Sequence, residues 1–184
     1  MTCIVGLEHK GLVTIGGDSA AVEGDSIDTY CAPKVFEVGP YLIGFCESFR
    51  LGQVIQYRLT KVPEQRCTDD LEHLATVFVD KLREQLGRAG VAKPVDGEDT
   101  QPGGLLVGYR GCLYSIDSDF HVGRSTRGYA AIGAGAPYAL GAMTAMDRRT
   151  DPRATVRTAL TIASRLCTAV RPPFDILTQG AQPC

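Results

Sequence analysis

The chain opens Met1-Thr2-Cys3-Ile4-Val5-Gly6-Leu7, and the reading of that stretch decides the rest. Its apolar and β-branched residues predict a strand that begins almost at the terminus. Chain ends fray unless a sheet holds them, so a strand here implies an anchored terminus. No charged leader and no long apolar segment precede it, which argues against a signal peptide or a long propeptide. Two readings of Thr2 stand open. It is a nucleophile exposed as residue one when Met1 is removed, or it is the first residue of a buried strand.

Working outward, Glu8-His9-Lys10-Gly11 is a polar turn, and Leu12–Ile15 returns as a strand closed by Gly16-Gly17-Asp18-Ser19. That hairpin carries Asp18 back beside Thr2. Residues 20–31 are mixed and polar, an irregular loop or short strand. Lys34–Val38 and Tyr41–Cys46 form a second hairpin across Gly39-Pro40. From Ser48, an N-cap residue, the period changes to helical, with Leu51, Val54, Ile55 and Leu59 on one stripe. Lys61–Thr68 contains Pro63 and breaks the helix. Thr68 or Asp69 caps the next one, whose stripe is Leu71, Leu74, Ala75, Phe78, Leu82 and Leu86, stopped by Gly87 and Gly90.

Residues 91–103 are a polar connection rich in Pro and Gly, expected to be the least ordered segment. Leu105–Tyr109 and Cys112–Ile116 make a third hairpin over Arg110-Gly111, and Tyr129–Ile132 is a short strand. Helices are expected over Pro137–Met146 and Arg153–Val170, and a last strand over Phe174–Thr178. Hairpins segregated from helix pairs predict an α+β domain with sheets in the middle and helices outside.

The 184 residues fit one domain spanning 1–184, with a core over about 2–178 and a short C-terminal tail. A hydrophobic content of 44% beside 22% charged residues is that of a soluble globular chain. No apolar run approaches the ~20 residues needed to span a bilayer. A net charge of −2 gives no electrostatic case for nucleic-acid or membrane-surface binding. Seven dispersed cysteines without a CxxC pair read as reduced thiols of a cytoplasmic protein, mostly small core residues, and the ligands for a side-chain metal site are missing.

A set of motifs then falls in order: Thr2-Cys3-Ile4-Val5-Gly6, Ile15-Gly16-Gly17-Asp18, Pro33-Lys34-Val35, Gly44-Phe45, Leu113-Tyr114-Ser115-Ile116-Asp117 and Ala131-Ile132-Gly133-Ala134-Gly135-Ala136-Pro137-Tyr138-Ala139. Together they resemble proteasome β-type subunits, most of all the peptidase component of the bacterial two-part HslUV protease. The likeness runs from Thr2 to about Thr178. It implies the four-layer αββα fold of N-terminal-nucleophile hydrolases. It also implies a threonine-type peptidase acting on peptides or unfolded proteins, self-association into a ring, and an ATPase unfoldase as partner.

The chemistry such a site requires follows from the residue types. A threonine hydroxyl is a poor nucleophile until a base takes its proton, and a free α-amine on the same residue can do so. That amine titrates near ~7.7–8.0 in peptides, so it is nearly poised at neutral pH. A nearby ammonium lowers it further, and a carboxylate holds that ammonium in place. By the resemblance, Thr2, Lys34 and Asp18 take the nucleophile, lysine and aspartate positions. The oxyanion is then held by a backbone N–H of Gly44-Phe45-Cys46-Glu47, with Gly44 the first choice and Glu47 the second. Ala21, Val22, Cys46 and Glu47 would edge the substrate groove.

The chain also departs from the family pattern. Ala134 stands where proteasome subunits carry a serine that helps the α-amine, and Glu47 stands where glycine is frequent. The resemblance further implies a structural sodium on the backbone carbonyls of Ser164, Cys167 and Val170; otherwise these residues form a plain helix end. No other cofactor is expected. Two other readings stay open: a catalytically silent ring or scaffold protein, suggested by Ala134 and Glu47, and a small-molecule amidase on the same fold. Retained Met1 would block the Thr2 amine and give an inactive form, although threonine is small enough for methionine aminopeptidase to clip Met1.

Overall fold

The computed structural model describes residues 2–60, 62–63, 69–95, 97–146 and 151–180. The expected break over Lys61–Thr68 falls almost wholly outside these residues, as do Met1 and the end of the tail.

Two-residue loops set the hairpins. β1 (Ile4–His9) and β2 (Leu12–Gly17) are joined by Lys10 and Gly11, at φ 51° and 74°. β9 (Leu105–Tyr109) and β10 (Cys112–Ile116) are joined by Arg110 and Gly111, at φ 49° and 81°. Two consecutive positive φ values give the turn whose twist matches that of paired strands, and glycine in the second place removes half the strain. β5 (Val35–Val38) and β6 (Tyr41–Phe45) pair across Gly39-Pro40.

These hairpins build two sheets. One has the order β12-β1-β2-β13, with β12 at Tyr129–Ile132 and β13 at Asp175–Gly180. The other has the order β11-β10-β9-β6-β5, with β11 at Val122–Gly123. Three apolar clusters define the layers. Ile4, Val13, Ile15, Val35, Leu42, Leu106 and Leu113 fill the space between the sheets. Val5, Leu7, Val156, Leu160 and Met143 join the first sheet to helices α4 (Ala136–Ala145) and α5 (Pro152–Leu166). Ile43, Phe45, Val107, Leu51, Ile55, Phe78 and Leu82 join the second sheet to α1 (Phe49–Arg58) and to α2 (Asp70–His73), which continues through a π-turn (Leu74–Phe78) into α3 (Val79–Arg88). The alternation of Ile4 inward and Val5 outward along β1 is the two-residue period of a strand buried on both faces. The result is the expected αββα sandwich.

Several elements differ from the sequence reading. Residues 20–31 hold a separate hairpin, β3 (Ala20–Glu23) with β4 (Ser26–Thr29), and the polar connection at 91–103 holds another, β7 (Lys93–Val95) with β8 (Glu98–Thr100). α5 ends at Leu166, short of Val170, because Cys167 leaves helical geometry at φ −116°, ψ 118°. Of the expected stripe Leu74, Phe78, Leu82 and Leu86 are buried, but Leu71 and Ala75 are exposed, and His73 and Val79 are buried as well. The π-turn explains this: one extra residue in the turn rotates everything upstream by about 100° relative to a strict 3.6-residue stripe. Of the described cysteines only Cys3 and Cys46 are buried; Cys31 is exposed and Cys112 and Cys167 lie between. Among the described residues no helix is long and apolar enough to cross a membrane.

The rotated turn puts His73 fully inside, stacked on Tyr41 and Tyr109. Its Nε2 shares a 2.8 Å hydrogen bond with the Tyr41 hydroxyl, and its Nδ1 has no partner among the described residues. Burial pushes its pKa below the ordinary histidine value, with Asp70 opposing the shift and Arg110 adding to it. The folded chain therefore resists a proton that the unfolded chain accepts near ~6.5, so stability falls as pH drops below that value, by at most about 1.4 kcal/mol per unit. Unfolding midpoints at pH 7.5 and 5.5 should differ more in the wild type than in His73→Gln. Equal differences would place the acid sensitivity elsewhere.

Candidate active site

Thr2, Asp18 and Lys34 meet where the two sheets come together. The register pairs Ile4 with Gly17, so Cys3 lies opposite Asp18 just beyond the ends of β1 and β2. Lys34 immediately precedes β5, where its carbonyl accepts the Phe45 N–H at 3.1 Å. Thr2 is 3%, Asp18 1% and Lys34 1% exposed, so the cluster is closed off from bulk water.

Lys34 Nζ donates to Thr2 Oγ1 at 3.0 Å, to Asp18 Oδ1 at 3.1 Å and to the Ala20 carbonyl at 2.6 Å. Those three acceptors match the three protons of an ammonium. The same positions also suit a neutral amine, which would donate to Asp18 and Ala20 and accept from the threonine hydroxyl. Burial pushes the Lys34 pKa below its ordinary value, and the Asp18 carboxylate opposes that. The contact can therefore carry a proton between Oγ1 and Nζ without rearrangement.

Asp18 is fixed by backbone donors. Oδ1 accepts the Cys3 N–H at 2.9 Å; Oδ2 accepts Ala20 N–H at 2.9 Å and Arg171 N–H at 3.4 Å. The Thr2 carbonyl accepts the Gly135 N–H at 3.1 Å, under the arch Gly133-Ala134-Gly135. Gly133 has φ 87°, and a Cβ there would sit 2.4 Å from the Thr2 carbonyl oxygen, so only glycine lets the arch close. Ala134, exposed, brings no hydroxyl to this arch.

The neighbouring thiols are poor competitors for the hydroxyl. Burial, with Asp18 and Cys167 adding to it, pushes Cys3 up to about 12, and burial also raises Cys46. Both stay protonated at neutral pH, and the thiolate is the reactive form.

Gly44 does not reach the threonine, contrary to its first-choice assignment as oxyanion donor. It lies inside β6 between Val35 and Leu106, and a Cβ on it would meet Ile4 and Ile15 between the sheets. The Cys46 N–H reaches Gly104 at 3.1 Å, and two residues earlier the Gly44 N–H takes the same side of the ladder, toward Leu106. Its glycine serves sheet packing. Glu47, the second choice, is placed differently: it is exposed, has φ 71°, and its N–H meets no acceptor among the described residues. The left-handed φ accounts for the frequent glycine of the family pattern at this position.

Ala21 is buried and Val22 partly so, on the hairpin that Lys34 anchors through Ala20. Sequence reasoning missed the aromatic wall beside them. The Phe49 ring centre lies 5.5 Å from Lys34 Nζ and 5.1 Å from the Tyr30 ring, with Phe45 at 6.1 Å. Phe49 sits off the α1 stripe, and its place directly after the Ser48 cap was the available signal. Ser164, Cys167 and Val170 lie at the end of α5. Ser164 Oγ donates to Thr161, the Cys167 carbonyl accepts Val170 N–H, and the Val170 carbonyl accepts Arg171 Nη1 at 2.9 Å. A guanidinium on that carbonyl disfavours a second cation there.

No protein-family model matches the sequence. Solved structures do match its shape. BPH of Thiobacillus denitrificans, in complex with epoxomicin, superposes with a TM-score of 0.83 at 18% identity over 99% of this chain and all of that one. Eukaryotic HslV from Trypanosoma brucei gives 0.69 at 19% identity over 97% and 99%. Anbu of Pseudomonas aeruginosa, solved as a helical assembly, gives 0.66 at 18% over 97% and 81%. The chain therefore has the proteasome-type N-terminal-nucleophile hydrolase fold.

Proposed function

We propose that the chain is a threonine-type peptidase that works after Met1 is removed, self-associated as a ring. The observation that carries this reading is the buried contact of Thr2 Oγ1 with Lys34 Nζ at 3.0 Å, with Asp18 behind it. In a chain beginning at Thr2, the α-amine takes the hydroxyl proton as Oγ1 attacks the peptide carbonyl. The proton then passes to the leaving amine, and water releases the ester. Lys34, held by Asp18, keeps the α-amine pKa low and the hydroxyl oriented. The Glu47 N–H is the oxyanion donor in this reading, since it alone in Gly44-Phe45-Cys46-Glu47 meets no acceptor among the described residues. With Ala134 in place of serine, the amine relies on Lys34 and water for its proton traffic.

Among the solved structures of this shape, BPH is in complex with epoxomicin and Anbu forms a helical assembly, and these support a peptide substrate and self-association over a silent scaffold or an amidase. An ATPase unfoldase is the partner such an enclosed chamber would need for folded substrates.

The test joins two mass measurements. Protein purified from cells should lack Met1, and epoxomicin or a peptide vinyl sulfone should then add one equivalent at Thr2. Retention of Met1 throughout the assembled population would refute the active-peptidase reading. Cleavage of short acyl-amides with no cleavage of peptides or casein would favour the amidase.

A further inference from the structure

Lys34 has little negative charge around it for a buried cation. Its carboxylate partner, Asp18, also accepts the backbone N–H groups of Cys3, Ala20 and Arg171, so that charge is shared. The other two acceptors of Nζ, Thr2 Oγ1 and the Ala20 carbonyl, are neutral. The nearby thiols of Cys3 and Cys46 are kept protonated by burial and add no negative charge. Burial of Lys34 itself works against its ammonium form.

One further group faces the charge. Nζ lies over the Phe49 ring, 5.5 Å from its centre. The face of an aromatic ring is its negative side, and a cation within about 6 Å of it is attracted, most strongly where water is excluded. Phe49 is also the first residue of α1, and the start of a helix carries partial positive charge. A side chain without a negative face at this position would leave that charge unopposed.

The ring is held in place by its neighbours. Ser48 Oγ accepts the Leu51 N–H at 3.2 Å and fixes the start of α1. Phe45 and Phe49 meet in a T-shaped pair, 6.1 Å between centres and 77° between planes, and Gly52 has no side chain to displace the Phe45 ring. Tyr30, which follows the β3–β4 hairpin, packs on Phe49 with its ring centre 5.1 Å away. We infer that Phe49 is a positioning residue: its ring face holds Lys34 as an ammonium and keeps that charge beside Thr2. The contact stands on geometry alone, and only its effect on catalysis rests on the peptidase reading.

The experiment reads Lys34 directly. The chain has five lysines, so NMR of isotope-labelled lysine in the full chain follows each one through a pH titration, and the Lys34 signal is the one missing from Lys34→Arg. Phenylalanines with one, two and three ring fluorines at position 49 weaken the ring face stepwise at nearly constant shape. Each step should move the Lys34 titration to lower pH. Phe49→Leu, which keeps apolar bulk without the face, should move it by about one pH unit, and Phe49→Tyr should restore it. A titration unmoved across the fluorine series overturns the inference and leaves Phe49 as packing, and that series decides even where Phe49→Leu fails to fold. In Met1-free protein, the alkaline limb of epoxomicin labelling at Thr2 should move with the Lys34 titration. Labelling whose pH profile ignores the fluorines would overturn the positioning role. Protein whose Lys34 follows the fluorines while Thr2 is never labelled keeps the ring contact and loses the peptidase reading.

Discussion

Thr2→Ala should reduce peptide hydrolysis on the order of 10⁴-fold or more, and labelling of the N-terminal residue should vanish. The same change should cost the fold little. It removes one of three acceptors from Lys34 and leaves Asp18 and the Ala20 carbonyl in place. A loss of about 1 kcal/mol is expected, the usual net worth of one hydrogen bond. Thr2→Ser keeps the hydroxyl and should keep measurable activity. Turnover in Thr2→Ala within ten-fold of the wild type would place the nucleophile elsewhere. Cys3 is no substitute for it, because burial keeps its thiol protonated. The comparison thus separates an enzyme built on Thr2 from a strand that happens to start with threonine.

Asp18→Ala should be the most destabilising single change in the site. It leaves the Lys34 ammonium buried without its counter-charge and takes the acceptor from the Cys3, Ala20 and Arg171 N–H groups. Breaking a buried pair from one side costs about 3–5 kcal/mol. For a chain of this size that corresponds to a fall of roughly 10 °C in the unfolding midpoint. Asp18→Asn keeps one oxygen and the side-chain volume, so it should fold better than the alanine variant. It should still lose activity, because Lys34 is then less firmly held as a cation. Calorimetry of the three proteins tests the order. An alanine variant melting within about 2 °C of the wild type would mean that Asp18 does not tie these segments together.

Most of the sandwich was readable because its strands and helices announce themselves through periodicity and turns. Lys10-Gly11 and Arg110-Gly111 mark two hairpins, and Ser48 marks the start of α1. The approach of Thr2, Asp18 and Lys34 was readable for the same reason, since each stands at a strand end. What escaped was whatever depends on phase or on a third dimension. The π-turn at Leu74–Phe78 carries no composition signal, so a strict helical stripe puts Leu71 and Ala75 on the buried face with Leu74, where the structure has His73 instead. Gly44 was read as a place for close substrate approach, and its missing side chain instead lets two sheets meet over Ile4 and Ile15. The distinction between Gly44 and Glu47 lies in which way a backbone N–H points, and residue type does not encode that.

Lys34 stands directly before a strand of one sheet, while Thr2 and Asp18 stand just beyond strand ends of the other, and its Nζ bridges them. The reacting hydroxyl and the group that orients it are therefore carried on separate slabs. A shift of a few tenths of an ångström in the spacing of those slabs would change the Nζ–Oγ1 distance directly, with no loop or lid needed to transmit it. The site is in that sense a gauge of how tightly the sandwich is closed, and whatever clamps the outer helices together, including a neighbouring copy, would be felt at Thr2.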